Sequence, residues 1–390
     1  MLAALLSLLV VLAAPVPFAV ESDAVDVDVD VAVDVFVGGE GGHPVYRIPA
    51  ITRVAAKDCG AARLLAVAEG RGTLADVGAN DLVLRTSDDA GATWSAYRRI
   101  ADVPARSLNN PCVVALHSGT HAGRVLLMFQ SYPEGKNETV VTEGFGSGAP
   151  GELICRTFVM HSNDRGDTWS EPREVTRSVK REKGATSTAT GPGIGIQLAR
   201  GAHAGRVIMP FNEGPFDRWR VYAAYSDDGG DTWMLGDVAP NDDRGFANEV
   251  QMFERADGSV VLNARQHLGA KRRKTAVSTD GGATWSRLAD VPDLPDPTCM
   301  AGILALENGV VVFSGCDSET RRALGTLWIS RDDGRTWPEK LLVEQGGFGY
   351  SVPVALDAST VGVLYETAGY KRIALRRVTV PAAAATPAAR

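Results

Sequence analysis

The sequence predicts an all-β fold, a six-bladed β-propeller, from three observations: a turn motif that recurs five times, a glycine turn in phase with it, and apolar runs of strand length between them. The motif reads Ser-x-Asp-x-Gly-x-Thr-Trp and begins at Ser87, Ser162, Ser226, Ser278 and Ser330. Five of the seven tryptophans end these segments, so the recurrence is a repeat and not an accident of composition. The spacings between motifs are 75, 64, 52 and 52 residues, enough for four short strands per unit.

Each element has a physical reason. Ser and Asp side chains accept backbone N–H bonds inside a tight turn, and the central Gly takes φ > 0 without steric cost. The Trp supplies an apolar face to pack between neighbouring sheets, with its N–H as a polar handle. The acids of these turns are therefore structural candidates, not catalytic ones. Gly205, Gly258 and Gly309 lie 21, 20 and 21 residues before the next motif Ser and mark the turn between the first two strands of a unit. Gly123 lies 39 residues ahead of Ser162, which places an insertion around Pro133 to Glu152, and Gly60 lies 27 ahead of Ser87. Second strands read RVIMPF, SVVLNA and VVVFSG, and third strands RVYAAYS, KTAVS and GTLWIS. Residues 346–380 supply a sixth blade without the motif, and VFVGG near residue 36 is placed to close it as its outermost strand.

The flanks differ from the propeller, whose boundaries are read as 36–380. Residues 1–19 form an apolar run ending in small residues and Pro, which reads as a secretory signal peptide and implies a secreted or lysosomal protein. Residues 20–35 alternate Val and Asp, a pattern that suits a half-buried strand or an acidic flexible segment. Residues 381–390 are a low-complexity tail. The six acids of residues 21–34 account for nearly all of the formal charge of −7, so the body has no strong field, and its charge suggests neither a nucleic-acid nor an anionic-membrane surface. The basic run Lys271 to Lys274 reads as a solvated loop. A sequon at Asn137-Glu138-Thr139 fits export. Five scattered cysteines (Cys59, Cys112, Cys155, Cys299, Cys316) contain no CxxC pair and allow at most two bridges.

Propeller topology sorts the polar residues. The motif turn joins strands three and four, on the same side as the Gly turn joining strands one and two, so the opposite side collects starts of first strands, ends of second strands and starts of third strands. Arg47 and Glu249 begin first strands, as does Tyr350; Arg265 ends a second strand; Asp76 lies in the loop after a second strand; Arg321 and Arg322 begin a third. A lone Arg at a strand end is ordinarily solvated or salt-bridged, and a Tyr at a strand start is ordinarily core or rim. The joint placement carries the argument: several arginines converging with a phenol and two carboxylates imply an anionic ligand, most economically a carboxylate, beside acid/base and nucleophilic chemistry.

These residues resemble the exo-α-sialidases of glycoside hydrolase family 33. Tyr46-Arg47-Ile48-Pro49 matches the family's [FY]RIP segment, the five Ser-to-Trp turns match its Asp boxes, and GPGIGIQL from Gly191 and Glu249-Val250-Gln251 followed by DGSVVLNAR are similar to family segments. The resemblance covers nearly the whole chain from about residue 36 and implies that Arg47, Arg265 and one of Arg321 or Arg322 clamp the substrate carboxylate. It implies Tyr350 as nucleophile, Glu249 as its general base, Asp76 as acid/base, Arg71 lining the pocket and Glu366 buttressing Arg47. A Tyr delivers an initially neutral nucleophile to an anomeric carbon that already bears a carboxylate, where Asp or Glu would meet like charge. The substrates implied are sialylated glycans, and no metal or organic cofactor is required. Two rivals share much of this pattern: a trans-sialidase, which passes the same intermediate to a sugar, and a non-catalytic carbohydrate-binding propeller.

Overall fold

The structure of the protein, a computed structural model, describes residues 29–56, 60–149, 151–242 and 245–382. The leader read at 1–19, the start of the acidic segment, Cys59 and the end of the tail lie outside the described residues. Six antiparallel sheets follow one another along the chain as the blades of a propeller. Blade 1 holds Val45–Val54, Arg63–Arg71, Asp81–Ser87 and Arg98–Ala101. Blade 2 holds Arg106–Ala115, Val125–Pro133, Arg156–Ser162 and Arg173–Glu174. Blade 3 is irregular at its inner edge, where the short strands Thr188–Thr190 and Ile196–Gln197 both pair with Val207–Glu213. Ala247–Glu254, Gly302–Ala305 and Ser351–Ala355 are the first strands of blades 4, 5 and 6.

The ring closes as the sequence suggests. Val33–Val37 pairs with Arg372–Thr379 as the outermost strand of blade 6, and Val29 bridges Val378. Part of the Val/Asp alternation is thus a strand: Val35 and Phe36 are buried, while Asp34 faces solvent and pairs with Arg372.

Between blades 2 and 3 the GPGIGIQL segment crosses the centre. Gly193–Ile194 pairs parallel with blade 2, Gln251 of blade 4 donates to the Gly191 and Pro192 carbonyls, and a side chain on Gly193 would meet Met300 of blade 5 and Val352 of blade 6. A Cβ at Gly191 would sit 1.7 Å from the Val250 carbonyl oxygen, so only glycine lets this segment plug the channel.

The five motif turns repeat one hydrogen-bond pattern. In the first, the Gly91 N–H donates to Ser87 Oγ (2.8 Å), Ser87 Oγ donates to Asp89 (2.7 Å), and the Thr93 N–H and hydroxyl both donate to the Asp89 carboxylate. The motif glycines have φ between 75° and 96°. Trp233, Trp285 and Trp337 are buried, but the polar-handle expectation holds in part: the Trp233 indole donates to the Gly230 carbonyl (3.1 Å), whereas those of Trp94, Trp169 and Trp285 find no protein acceptor.

Partial burial works against the charge of the turn acids, yet the Thr and Ser donors win and hold Asp89, Asp164 and Asp332 at a pKa of about 2. Because these folded-state values are depressed, the stability they contribute is present above the unfolded carboxyl range and is lost as pH falls from about 4 to about 2. Asp332→Ala is expected to lower the urea midpoint at neutral pH and to change it little near pH 2. Equal losses at both would remove the linkage.

Candidate active site

The first strands of blades 1, 2 and 4 carry the same local device at the pocket end. Their ladders shift register between Arg47 and Ala50, between Asn109 and Cys112, and between Asn248 and Val250. Ile48, Asn110 and Glu249 lie at these shifts with φ of 57°, 50° and 40°. Such a bulge re-aims the flanking side chains, and for a β-branched Ile the left-handed backbone costs on the order of 1–3 kcal/mol. Tertiary bonds hold the strained residues: the Ile48 N–H donates to Glu366 Oε1 (2.8 Å) and the Glu249 N–H to Asn212 Oδ1 (3.1 Å).

At the centre, Tyr350 Oη donates a short hydrogen bond to Glu249 Oε1 and accepts one from Arg265 Nη1 at 3.1 Å. Arg265 also forms an ion pair with the other Glu249 oxygen, and its Nε donates to Asn248 Oδ1 (2.8 Å). Two more guanidinium groups flank the phenol ring, Arg47 and Arg322, each 5.3 Å from its centroid. Arg47 is oriented by Glu366 through Nε (2.7 Å) and Nη2 (3.3 Å) and lies 4.4 Å over the Tyr370 ring. The Glu366 side chain is 0% exposed and also accepts the Tyr350 backbone N–H (3.1 Å), so one carboxylate sets an arginine and the phenol-bearing residue together. Gly349 makes this approach possible, since a Cβ there would lie 2.6 Å from Glu366 Oε2.

The choice between Arg321 and Arg322 is made by the fold. Arg322 donates to Tyr370 Oη (3.1 Å) and to the Thr298 carbonyl (2.7 Å) and faces Tyr350. Arg321 is exposed, with its backbone N–H on Ser318 Oγ, and is corrected out of the site: the two residues lie in a tight turn closed by the Ala323 N–H on the Arg321 carbonyl (3.0 Å), which leaves Arg321 in solvent and Arg322 partly buried against Tyr350.

Asp76 sits across the cavity on the loop after the second strand of blade 1, its side chain 64% exposed, and accepts from Arg71 Nη1 (2.8 Å). Arg71, Asp76, Glu249, Arg265 and Tyr350 line one cavity together with Asn109, Gln130 and Glu138 of blade 2 and Phe216 and Trp219 of blade 3. Arg71 is itself held by Glu69, which is fully buried and accepts the Asn110 N–H (2.7 Å) as well.

The electrostatics follow from burial among arginines. Burial raises the Tyr350 phenol well above its usual value and the Glu249 charge adds to this, while Arg265, Arg322 and Arg47 pull it down. The phenol is therefore protonated at rest, with its proton on the bond to Glu249. Burial opposes the charge on Arg47, but the Glu366 charge and hydrogen bond outweigh it and raise its pKa. The cluster presents a fixed positive face into which an anion fits.

Sequence reasoning missed Tyr370, Glu69, Asn248 and Glu138. Glu69 stands inside an apolar run, where the period of two along the strand puts it on the same face as Arg71, whereas Tyr370 lies on a short 3-10 turn after Thr367 that no periodicity or motif marks, and only the fold brings it to the arginines. Among the described residues no cluster of His, Cys, Asp and Glu is arranged to hold a metal, no helix is long and apolar enough to cross a membrane, and Cys112, Cys155, Cys299 and Cys316 are free and buried.

Comparisons with known proteins bear on the chain and its fold. Residues 62–363 match the BNR repeat-like domain family. A sialidase of Micromonospora viridifaciens is 34% identical over 358 residues, covering 85% of this chain and 51% of its own, and a sialidase of Bacteroides fragilis is 29% identical over 321 residues, covering 74% and 54%. The chain thus spans about half the length of these curated relatives. Among solved structures, a Hadza microbial sialidase superposes with a TM-score of 0.78 at 25% identity, covering 89% of this chain and 68% of that one. The intramolecular trans-sialidase of Ruminococcus gnavus shares the fold, with a TM-score of 0.74 at 18% identity over 89% of this chain and 97% of that one. A repeat match over most of the chain leads to one assignment: the chain belongs to the BNR repeat-like domain family, and along its length it is similar to sialidases.

Proposed function

We propose that the chain is an exo-α-sialidase that hydrolyses terminal α-linked sialic acids from glycoproteins, glycolipids and oligosaccharides, with retention of anomeric configuration. The observation that carries this reading is the Tyr350–Glu249 hydrogen bond set among Arg47, Arg265 and Arg322. Three guanidinium groups suit a carboxylate on the reacting carbon, and a protonated phenol is the nucleophile that such a carboxylate repels least.

In this mechanism the arginines bind the substrate carboxylate and Asp76 donates its proton to the glycosidic oxygen as that bond breaks. Tyr350 Oη bonds to the anomeric carbon and passes its proton to Glu249 Oε1. In the second half Asp76, now a carboxylate, takes a proton from water, whose oxygen displaces the phenolate, and Glu249 returns the proton to Tyr350. The high exposure of Asp76 leaves a path for water to reach it. The apolar leader supports export to a secreted or lysosomal location.

Proton NMR of the first product formed from an α-sialoside tests the whole reading. The expected first product is the α-anomer, equilibrating later to β. Initial release of the β-anomer would exclude a tyrosyl intermediate, and no turnover at all would favour a carbohydrate-binding propeller.

A further inference from the structure

The second strands of three blades carry an oxygen acceptor near their pocket end that ties each blade to the next. Glu366 of blade 6 accepts the Ile48 N–H of blade 1, Glu69 of blade 1 accepts the Asn110 N–H of blade 2 (2.7 Å), and Asn212 of blade 3 accepts the Glu249 N–H of blade 4. All three donors are the bulged residues with positive φ. An amide oxygen is enough for this bond, as Asn212 shows. The two positions that carry a carboxylate instead, Glu366 and Glu69, each also hold an arginine of the pocket.

Arg71 stands two residues after Glu69, on the same face of the strand, and is 2% exposed. Its Nε donates to Glu69 Oε2 (2.7 Å) and its Nη2 lies 2.5 Å from the same oxygen, which turns the third nitrogen, Nη1, toward the loop after the strand. There Nη1 donates to the Asp76 carboxylate (2.8 Å) and to the Leu74 carbonyl (3.4 Å). Among the described residues this is the one hydrogen bond to the Asp76 side chain, which otherwise stands exposed between Gly72 and Gly78. Burial raises the Glu69 pKa, and the Arg71 charge and the Asn110 N–H lower it in turn. Every partner of its two oxygens is an N–H donor, Asn109 Nδ2 (3.4 Å) included, so the bonding pattern suits a carboxylate and offers no acceptor to an acid O–H.

We propose that Glu69 is a positioning residue for proton transfer to the leaving group: through Arg71 it holds Asp76 within reach of the glycosidic oxygen. The inference rests on the sialidase reading, in which Asp76 is the proton donor. An exposed loop carboxyl group held by one guanidinium is only as well placed as that guanidinium, and a misplacement of about 1 Å costs on the order of 10²-fold in rate. Glu69→Gln keeps the side-chain shape and an oxygen for the Asn110 N–H. Its amide NH2 then meets the Arg71 Nε–H, donor against donor, and the guanidinium turns away from Asp76.

Leaving groups separate this role from a merely structural one. A sugar alkoxide departs only with a proton, whereas 4-nitrophenolate departs without one. The test takes kcat/KM for the 4-nitrophenyl α-sialoside over kcat/KM for a sialyllactose, in the wild-type chain, Glu69→Gln, Glu69→Asp and Asp76→Asn. This parameter ends at departure of the leaving group and so excludes the later work of Asp76 on water. Relative to the wild type, the ratio is expected to rise about tenfold in Glu69→Gln, less in Glu69→Asp, which keeps the charge one methylene short, and about 10²-fold or more in Asp76→Asn. Both substrates are measured on one preparation, so a partly unfolded sample leaves the ratio unchanged, and Glu69→Asp carries the same test where Glu69→Gln gives no folded protein. A ratio unmoved in the Glu69 variants beside a raised one in Asp76→Asn overturns the positioning role and leaves the sialidase reading standing. A ratio unmoved in Asp76→Asn removes Asp76 as donor and the role of Glu69 with it, and absence of wild-type turnover on both substrates overturns the sialidase reading itself.

Discussion

Tyr350→Phe is expected to fold normally and to lose turnover by about 10³-fold or more. The substitution removes one oxygen, the one that bonds Glu249 and faces Arg265. Folding survives because Glu249 keeps its ion pair with Arg265, and the ring keeps its place between Arg47 and Arg322. Carboxylate binding survives for the same reason, so KM should move far less than kcat. The measurement is initial rates on a fluorogenic sialoside, with circular dichroism as the check on folding. A second readout is covalent: after incubation with a slow fluorinated sialosyl donor, the wild-type peptide containing Tyr350 gains one sialosyl group and the variant's gains none. A variant with undiminished kcat would remove Tyr350 from the chemistry.

The second large effect is on stability. Glu366→Ala removes one carboxylate that serves three partners: the Arg47 guanidinium, the Ile48 N–H and the Tyr350 N–H. Arg47 is 8% exposed, so it is left as an uncompensated buried charge, a loss of about 3–5 kcal/mol. The strained φ of Ile48 loses its anchor as well. Urea denaturation should show the midpoint falling with an unchanged slope, and kcat/KM should fall through misplacement of both Arg47 and Tyr350. Glu366→Gln should fall between the two, since its amide oxygen still accepts one backbone N–H. A loss below about 0.5 kcal/mol, the scale of an ordinary surface change, would mean that Arg47 finds another counter-charge.

Much of this architecture is written locally. The five turns depend on contacts within eight residues, Ser and Asp to nearby N–H groups and a glycine at positive φ, so their spacing alone reports blades. Strand runs and closure by the segment near Val37 follow from period and composition. The side of the propeller on which Arg47, Glu249, Arg265 and Tyr350 gather is also legible, because antiparallel order alternates the two ends. Less was legible where one residue's position depends on a distant neighbour. The Arg321/Arg322 choice turns on which of two adjacent side chains faces the channel, and Tyr370 and Thr298 settle it from more than 20 residues away. Glu69 carries no motif at all, and the sequon around Glu138 does not point to a cavity.

The sequence by itself thus determined the number of blades, the end of the channel that bears the site and the residue types that meet there, because turns and alternation are short-range consequences of backbone geometry. Tertiary structure alone decided the bonds that give those residues a function: Tyr350 on Glu249, Glu366 beneath Arg47, and Arg322 in place of Arg321. The reason is physical. Hydrogen bonds and ion pairs act over about 3 Å, and six blades closing into a ring bring residues more than 300 positions apart, such as Arg47 and Glu366, within that distance.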